Sequence, residues 1–399
     1  MRGRILEQLA ELAVSAGANV QPGQVVGVGA DLGQEEMARV VAEAAYRRGA
    51  RFVDVRYYDP YVKRARIELA AEETLDYVPP WYGERVLALG KERGANIALA
   101  GPTAPGALDG LDPARLGRDQ LPFLKETLTV IHERVLSWTV IPCPTTAWAT
   151  LVHPELGDGE ALDRLCEEIA RVLRLDEADP SAAWQERADT LEAIARRLNE
   201  RHFDALHFEG RGSDLTVGLL PSSIWQSARM ETVEGIVHIA NLPSEEVYAT
   251  PDPARAEGRV RSTRPLVLFD GSLIRGLEVE FAGGRAVRID AEEGAEIMRG
   301  RAAMDAGASR LGEVALVDRE SRIAELGTVF YDTLLDENAV SHIALGAGEE
   351  SGLSEEDRAR SNRSAIHVDF MIGGADVSVT GITREGARIP VLTGGIWQL

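Results

Sequence analysis

Gln24-Val25-Val26-Gly27-Val28-Gly29-Ala30, followed by Glu35 to Arg48 and then by Arg51-Phe52-Val53-Asp54-Val55-Arg56-Tyr57-Tyr58, decides the fold class of the first half of the chain. The first segment is a short apolar run. The second sets alanines, valines and charges at helical period and closes at Gly49, and the third is rich in β-formers. Strand, helix and strand at this spacing predict an α/β layer with a mostly parallel sheet. Working outward, Asn96-Ile97-Ala98-Leu99-Ala100 reads as a further strand before Gly101-Pro102. From Asp158 to about Arg201 the text turns helical and densely charged, with a break at Asp179-Pro180, as expected for a pair of surface helices joining two domains.

The second half has a different texture. From Phe208 onward short strands alternate with Gly, Asp and Pro turns: Ser213-Asp214-Leu215-Thr216-Val217, Gly235-Ile236-Val237-His238-Ile239-Ala240 and Arg264-Pro265-Leu266-Val267-Leu268-Phe269. Gly271 to Gly284 reads as a hairpin region, with Leu277, Val279 and Phe281 alternating. An antiparallel α+β domain is the expectation there. The domain division expected is therefore 1–200, α/β with a helical connection, and 201–399, α+β with the chemistry. Gly346 to Arg363, rich in Gly, Ser and Glu, reads as a mobile loop.

Composition narrows the functional classes. Acidic residues outnumber basic ones 64 to 43, a formal net charge of −21. Such a surface repels phosphate backbones and anionic lipid, which argues against nucleic-acid and membrane partners. The two cysteines, Cys143 and Cys166, form no CxxC pair, so any metal must be held by oxygen and imidazole. The N-terminal residues alternate apolar and charged at helical spacing, unlike a signal peptide, and no apolar run approaches a membrane span. A cytoplasmic location is expected.

Histidine is scarce, with seven in 399 residues, so its placement carries information. His132, His153, His202 and His207 fall in or near charged helical text and read as surface or structural groups. His342 and His367 sit among carboxylates and apolar residues. In Ala365-Ile366-His367-Val368-Asp369-Phe370-Met371, strand alternation puts His367 and Asp369 on one face and Ile366, Val368 and Phe370 on the other. That pair is either a metal-ligand pair or a His–Asp hydrogen bond that satisfies two buried polar groups. In Asp336-Glu337-Asn338-Ala339-Val340-Ser341-His342, Asp336 or Asn338 is placed to cap a short helix ending at Gly346. Glu337 would then lie at the helix entrance, where the macrodipole alone explains an acid, and His342 about one turn later. Glu313 heads the apolar run Val314-Ala315-Leu316-Val317, and Glu245-Glu246 stand between two strand-like stretches. An acid within apolar text is costly unless paired or metal-bound.

Four segments together, Asn241-Leu242-Pro243-Ser244-Glu245-Glu246-Val247-Tyr248, Leu311-Gly312-Glu313-Val314-Ala315, Asp336 to His342 and Ile366 to Gly373, resemble the motifs of the M29 family of metallo-aminopeptidases, in order and near spacing. The resemblance extends over most of the chain, including Pro144-Thr145-Thr146-Ala147-Trp148-Ala149. It implies a two-domain homodimer with an enclosed cavity that releases N-terminal residues from short peptides. It also implies two divalent ions per chain, of zinc, cobalt, manganese or magnesium, on Glu246, Glu313, Glu337, His342, His367 and Asp369. Glu246 is preferred to Glu245 as the acid directly before the valine. By analogy with the family and by residue type, Glu313 is expected to bridge the ions and Glu337 to move a proton, which makes these two the catalytic candidates. Glu349 stands where the resemblance leads one to expect a tyrosine seven residues after the histidine.

Other readings stay open at this level. His342, His367 and Asp369 also spell a two-histidine, one-carboxylate triad of a non-heme Fe(II) ring-cleaving oxygenase. The same fold without hydrolysis would be a binding protein. Gly27-Val28-Gly29-Ala30-Asp31-Leu32-Gly33 loosely resembles a dinucleotide fingerprint, with its third glycine one residue late. No Gly-x-Ser-x-Gly elbow occurs.

Overall fold

The computed structural model describes residues 2–119, 121–122, 125–268 and 272–399. The chain divides into two compact units, one of Met1–Gln185 with Arg229–Pro243 and the other of Glu186–Ala228 with Ser244–Leu399.

In the first unit, strands Val25–Asp31, Phe52–Tyr58, Ala95–Ala100 and Ser137–Pro142 form a parallel sheet in which Val25–Asp31 lies between Phe52–Tyr58 and Ala95–Ala100. The helix Glu35–Arg47 supplies the crossover between the first two strands; it buries Met37, Ala38, Val41, Ala44 and Ala45 on one face and carries Glu35 and Glu36 in its first turn. That spacing is the amphipathic stripe read in the sequence. The strand runs on through Asp31, so Gly27 and Gly29 sit inside it, paired with Asp54 and Arg56 of the neighbouring strand. They form no phosphate-cradling turn, which removes the dinucleotide reading.

The charged text after Asp158 is two helices, Asp158–Val172 and Pro180–Arg201. They are more than surface helices: Leu165, Ile169 and Val172 on the first, and Trp184, Leu191 and Leu198 on the second, are fully buried.

The second unit is built on two antiparallel sheets. The larger runs in the order Arg285–Asp290, Glu278–Ala282, Pro251–Arg261, Ser213–Leu219, Ala205–Gly210, Val377–Ile382, Arg388–Thr393 and Ile396–Trp397. His207 therefore lies on a strand, with Nδ1 3.1 Å from Thr216 Oγ1, and not in helical text as its charged surroundings suggested. The stretch expected as a strand from Arg264 contributes only Leu266–Val267; Phe269, and Gly271 of the expected hairpin, lie outside the described residues. The hairpin turn falls at Gly283-Gly284, between strands Glu278–Ala282 and Arg285–Asp290.

The smaller sheet has four strands in the order His367–Met371, His342–Gly346, Leu311–Val317 and Glu246–Ala249, all antiparallel. One face is made of Val247, Val314, Leu316, Ile343, Leu345, Val368 and Phe370, each at most 8% exposed. Alternation sends every other side chain to the opposite face. The Gly346–Arg363 segment is held down rather than loose. Ser354 caps a helix over Glu355–Arg360, buried Asp357 accepts from Ser222 N and Oγ at 2.7 and 2.6 Å, and Asn362 Nδ2 donates to Gly346 O at 2.5 Å. Replacing Phe370, which is fully buried at the back of this sheet, by alanine is expected to cost about 3–5 kcal/mol, read as a lower urea midpoint.

Candidate metal centre

The register of the smaller sheet fixes what its second face carries. Tyr248 stands across from Ala315 and Ala315 across from His342. Glu313 stands across from Ala344, Ala344 across from Asp369, and Gly346 across from His367. Glu246, Tyr248, Glu313, His342, His367 and Asp369 thus share one face, and the small side chains of Ala315 and Ala344 lie between them. Gly346 is required here: its φ is +111°, and a Cβ would sit 2.0 Å from Ile366 O.

Two triads result. Glu246, Glu313 and His342 bring one ligand atom each within 4.8 Å of one another, and so do Glu313, His367 and Asp369. Glu313 belongs to both. His342 Nε2 lies 2.9 Å from Glu246 Oε2 and 3.7 Å from Glu313 Oε1; His367 Nε2 lies 3.3 Å from Asp369 Oδ2 and 3.6 Å from Glu313 Oε2. Each ring turns its Nδ1 to a backbone carbonyl, Val340 O at 3.1 Å and Ala347 O at 2.9 Å. A ring held that way has Nδ1 as its donor and offers Nε2 to a metal. The two histidines fall in separate triads, which is not the arrangement of a two-histidine, one-carboxylate site.

The expected helix is shorter and earlier than its sequence suggested. It covers Thr333–Glu337, its N-cap is Asp332, and Asp336 turns its carboxylate back to Phe330 N and Asp332 N. His342 opens a strand instead, because Ile343, Ala344 and Leu345 find partners on both sides. Glu337 therefore ends the helix. An anion there meets the negative end of the macrodipole, so the helix does not explain this acid.

Electrostatics mark the site as unbalanced. Burial, and then Asp369 and Glu246 nearby, push the Glu337 carboxyl well above its ordinary range. Burial likewise raises Glu313, against the pull of His342 and His367. Burial disfavours a charged His342, but Glu246, Glu313 and Asp369 outweigh it and hold the ring well above the usual imidazole value. Burial would raise Asp369; His367 and His342 lower it below the normal carboxylate range. Burial, with Glu349, Glu313 and Glu246 in reach, raises the Tyr248 phenol. Asp369 Oδ1 is buried with no hydrogen-bond partner, and Glu246 Oε2 meets only the Nε2 of His342 at 2.9 Å, a shortage of donors that a cation would relieve. The residues present fit divalent metal ions.

Glu245 points elsewhere. Its Oε2 accepts from Arg187 Nε at 2.7 Å, and Arg187 also donates to Asp318 at 2.9 and 3.1 Å. Trp397 Nε1 donates to Asp318 Oδ2 at 2.7 Å, and Glu245 N donates to Asn338 Oδ1 at 2.6 Å. This network braces the residues next to Glu246 and Glu337. Sequence reading missed Arg187 and Asp318, which lie 58 and 73 residues from Glu245. It also missed Tyr248, although the Glu246-x-Tyr248 spacing carried the same signal as His367-x-Asp369. Of the other histidines, His153 lies 3.0 Å from Glu168 and His238 is buried beside Trp138.

With this geometry in hand, comparison with known proteins is decisive. The profile described as "Thermophilic metalloprotease (M29)" matches residues 3–397. The chain belongs to the M29 metalloprotease family. It is 42% identical to aminopeptidase T of Thermus aquaticus, over 99% of this chain and 98% of the relative. It is 37% identical to aminopeptidase PepS of Streptococcus thermophilus, over 99% and 98%. The solved structure of wild-type AmpT from Thermus thermophilus superposes with a TM-score of 0.92 at 41% identity, covering 100% of both chains. The protein is accordingly a peptide hydrolase of the M29 type with an α/β sheet and an antiparallel α+β region. Among the described residues no helix is long and apolar enough to cross a membrane.

Arg187→Met is expected to remove the guanidinium that buried Glu245 and Asp318 share, at a cost of about 3–5 kcal/mol. Chemical denaturation measures this; a loss under about 1 kcal/mol would show that the network contributes little.

Proposed function

We propose that this M29 enzyme is an aminopeptidase that releases the N-terminal residue of short peptides at a centre of two divalent ions. The observation that supports the reading is Glu313, the one carboxylate common to both triads among the described residues, which would let it serve both halves of the site. Glu246 and His342 would complete one half, and His367 and Asp369 the other, with Glu337 as the remaining acid beside them. Four carboxylates against two imidazoles that enter as neutral ligands match the charge of two divalent cations. Zinc, cobalt, manganese and magnesium are the ions expected. Bound ions would supply Lewis acidity toward the scissile carbonyl and lower the pKa of a bound water.

The protein's own groups do the rest. The backbone carbonyls of Val340 and Ala347 hold both rings in the tautomer that presents Nε2. Glu337 moves the proton from the attacking water to the leaving amine, in a surrounding whose burial keeps its carboxyl ready to hold one. Carboxylates around the site recognise the free α-ammonium of the peptide, which restricts cleavage to the first residue. On this reading the division expected at 200/201 shifts: the catalytic unit is Glu186–Ala228 with Ser244–Leu399, and the α/β unit is Met1–Gln185 with Arg229–Pro243. A cytoplasmic homodimer is the assembly proposed with it, which sedimentation would test.

The test is to strip the protein and add back Zn, Co, Mn, Mg and Fe(II) separately, with metal analysis and a panel of dipeptides. Two metals per chain and release of the N-terminal residue are expected, with no release from N-acetylated peptides. His367→Ala is expected to lose metal and activity together, and Glu337→Gln to lower kcat about 10²–10⁴-fold at saturating metal. Activity with Fe(II) alone, or two metals without cleavage, would overturn the assignment.

A further inference from the structure

Hydrolysis of an amide builds negative charge on the carbonyl oxygen, and a preorganised neutral donor aimed at that position lowers the barrier. On the ligand-bearing face the other polar side chains are carboxylates, which only accept, and imidazoles, whose Nδ1 is already spent on backbone carbonyls. Tyr248 differs from all of them. It lies two residues along the strand from Glu246 and across from Ala315, which in turn lies across from His342. It is half-buried, and among the described residues its hydroxyl has no hydrogen-bond partner.

The segment Ala347–Glu349 closes this part of the site. Ala347 O faces His367 Nδ1 at 2.9 Å, and Glu349 O accepts from Thr250 Oγ1 at 2.6 Å. It passes over Gly312, where a Cβ would meet Ala347 O at 2.2 Å. The turn thus spans from the His367 strand to the end of the Glu246–Ala249 strand. Thr250 lies two residues beyond Tyr248, so this anchor sits at the end of the strand that carries the phenol. A side chain present only for packing gains nothing from a hydroxyl left without a partner on the face that carries the carboxylates.

We propose that the Tyr248 hydroxyl is a catalytic hydrogen-bond donor to the carbonyl oxygen of the substrate as it becomes tetrahedral. The assignment rests on the aminopeptidase reading above and adds to it a group supplied by the strand that carries Glu246. The phenol donates a hydrogen bond that is strongest when the oxygen is most negative.

The experiment compares metal-loaded wild type with Tyr248→Phe, which preserves the packing and removes only the hydroxyl. Expected for the variant are a fall in kcat of about 10²–10³-fold, a KM within about threefold, and unchanged metal content and melting temperature. A phosphinic dipeptide, whose tetrahedral oxygens imitate the reacting carbonyl, is expected to bind the variant more weakly by a similar factor, while the free amino acid product binds both proteins alike. If wild type is active and the variant equals it in kcat and phosphinate affinity, the donor assignment alone is overturned, whether or not the melting temperature falls. If loaded wild type releases no N-terminal residue, the aminopeptidase reading itself is overturned and the donor role goes with it.

Discussion

Like charges crowded out of water govern this structure. Glu246, Glu313, Glu337 and Asp369 share a small region with two imidazoles, and Asp369 Oδ1 is buried there with no hydrogen bond. Such a cluster is costly in a low-dielectric interior unless cations enter it. The surrounding fold is arranged to hold it regardless. Four antiparallel strands fix the spacing, an apolar back face anchors them, and Ala315, Ala344 and Gly346 keep the space between ligands open. One helix end delivers Glu337 against its own macrodipole. A site that lowers the stability of its own scaffold in this way is common where chemistry is the purpose.

The neighbouring acid, Glu245, shows how differently a carboxylate is treated one residue away. Strand alternation turns it from the cluster into Arg187, which is shared with Asp318, while Trp397 and Asn338 supply further hydrogen bonds. The charges there are matched within the protein itself. Two consecutive glutamates thus serve opposite needs, one balanced internally and one left to be balanced by what binds.

Much of this was legible in the sequence, for physical reasons that differ from residue to residue. The parallel layer followed from the spacing of an apolar run, an amphipathic stripe and a β-rich run. The His367–Asp369 pairing followed from alternation, which needs no knowledge of neighbours. His342 was misread as helical because Asp336-Glu337-Asn338-Ala339 looks like a helix entrance, while strand identity at His342 comes from partners on both sides that local text does not show. The same error put Glu337 at the wrong end of its helix. The Ser- and Glu-rich stretch after Gly346 looked mobile by composition, yet Ser354, Asp357 and Asn362 tie it down through distant contacts. Arg187 was invisible because a buried arginine in a charged helix is recognised only by its partners.

The two triads that share Glu313 do not meet water equally. The His342 side chain is 1% exposed, whereas that of His367 is 40% exposed. A cation held by His342 would have little solvent at hand to take the place of a departing ligand. One held by His367 would be nearer to solvent, which can replace a ligand as it lets go. Equal affinities at the two positions would therefore still give unequal lifetimes. Brief chelation would produce a half-loaded protein, and the order of metal loss would be set by access rather than by bond strength.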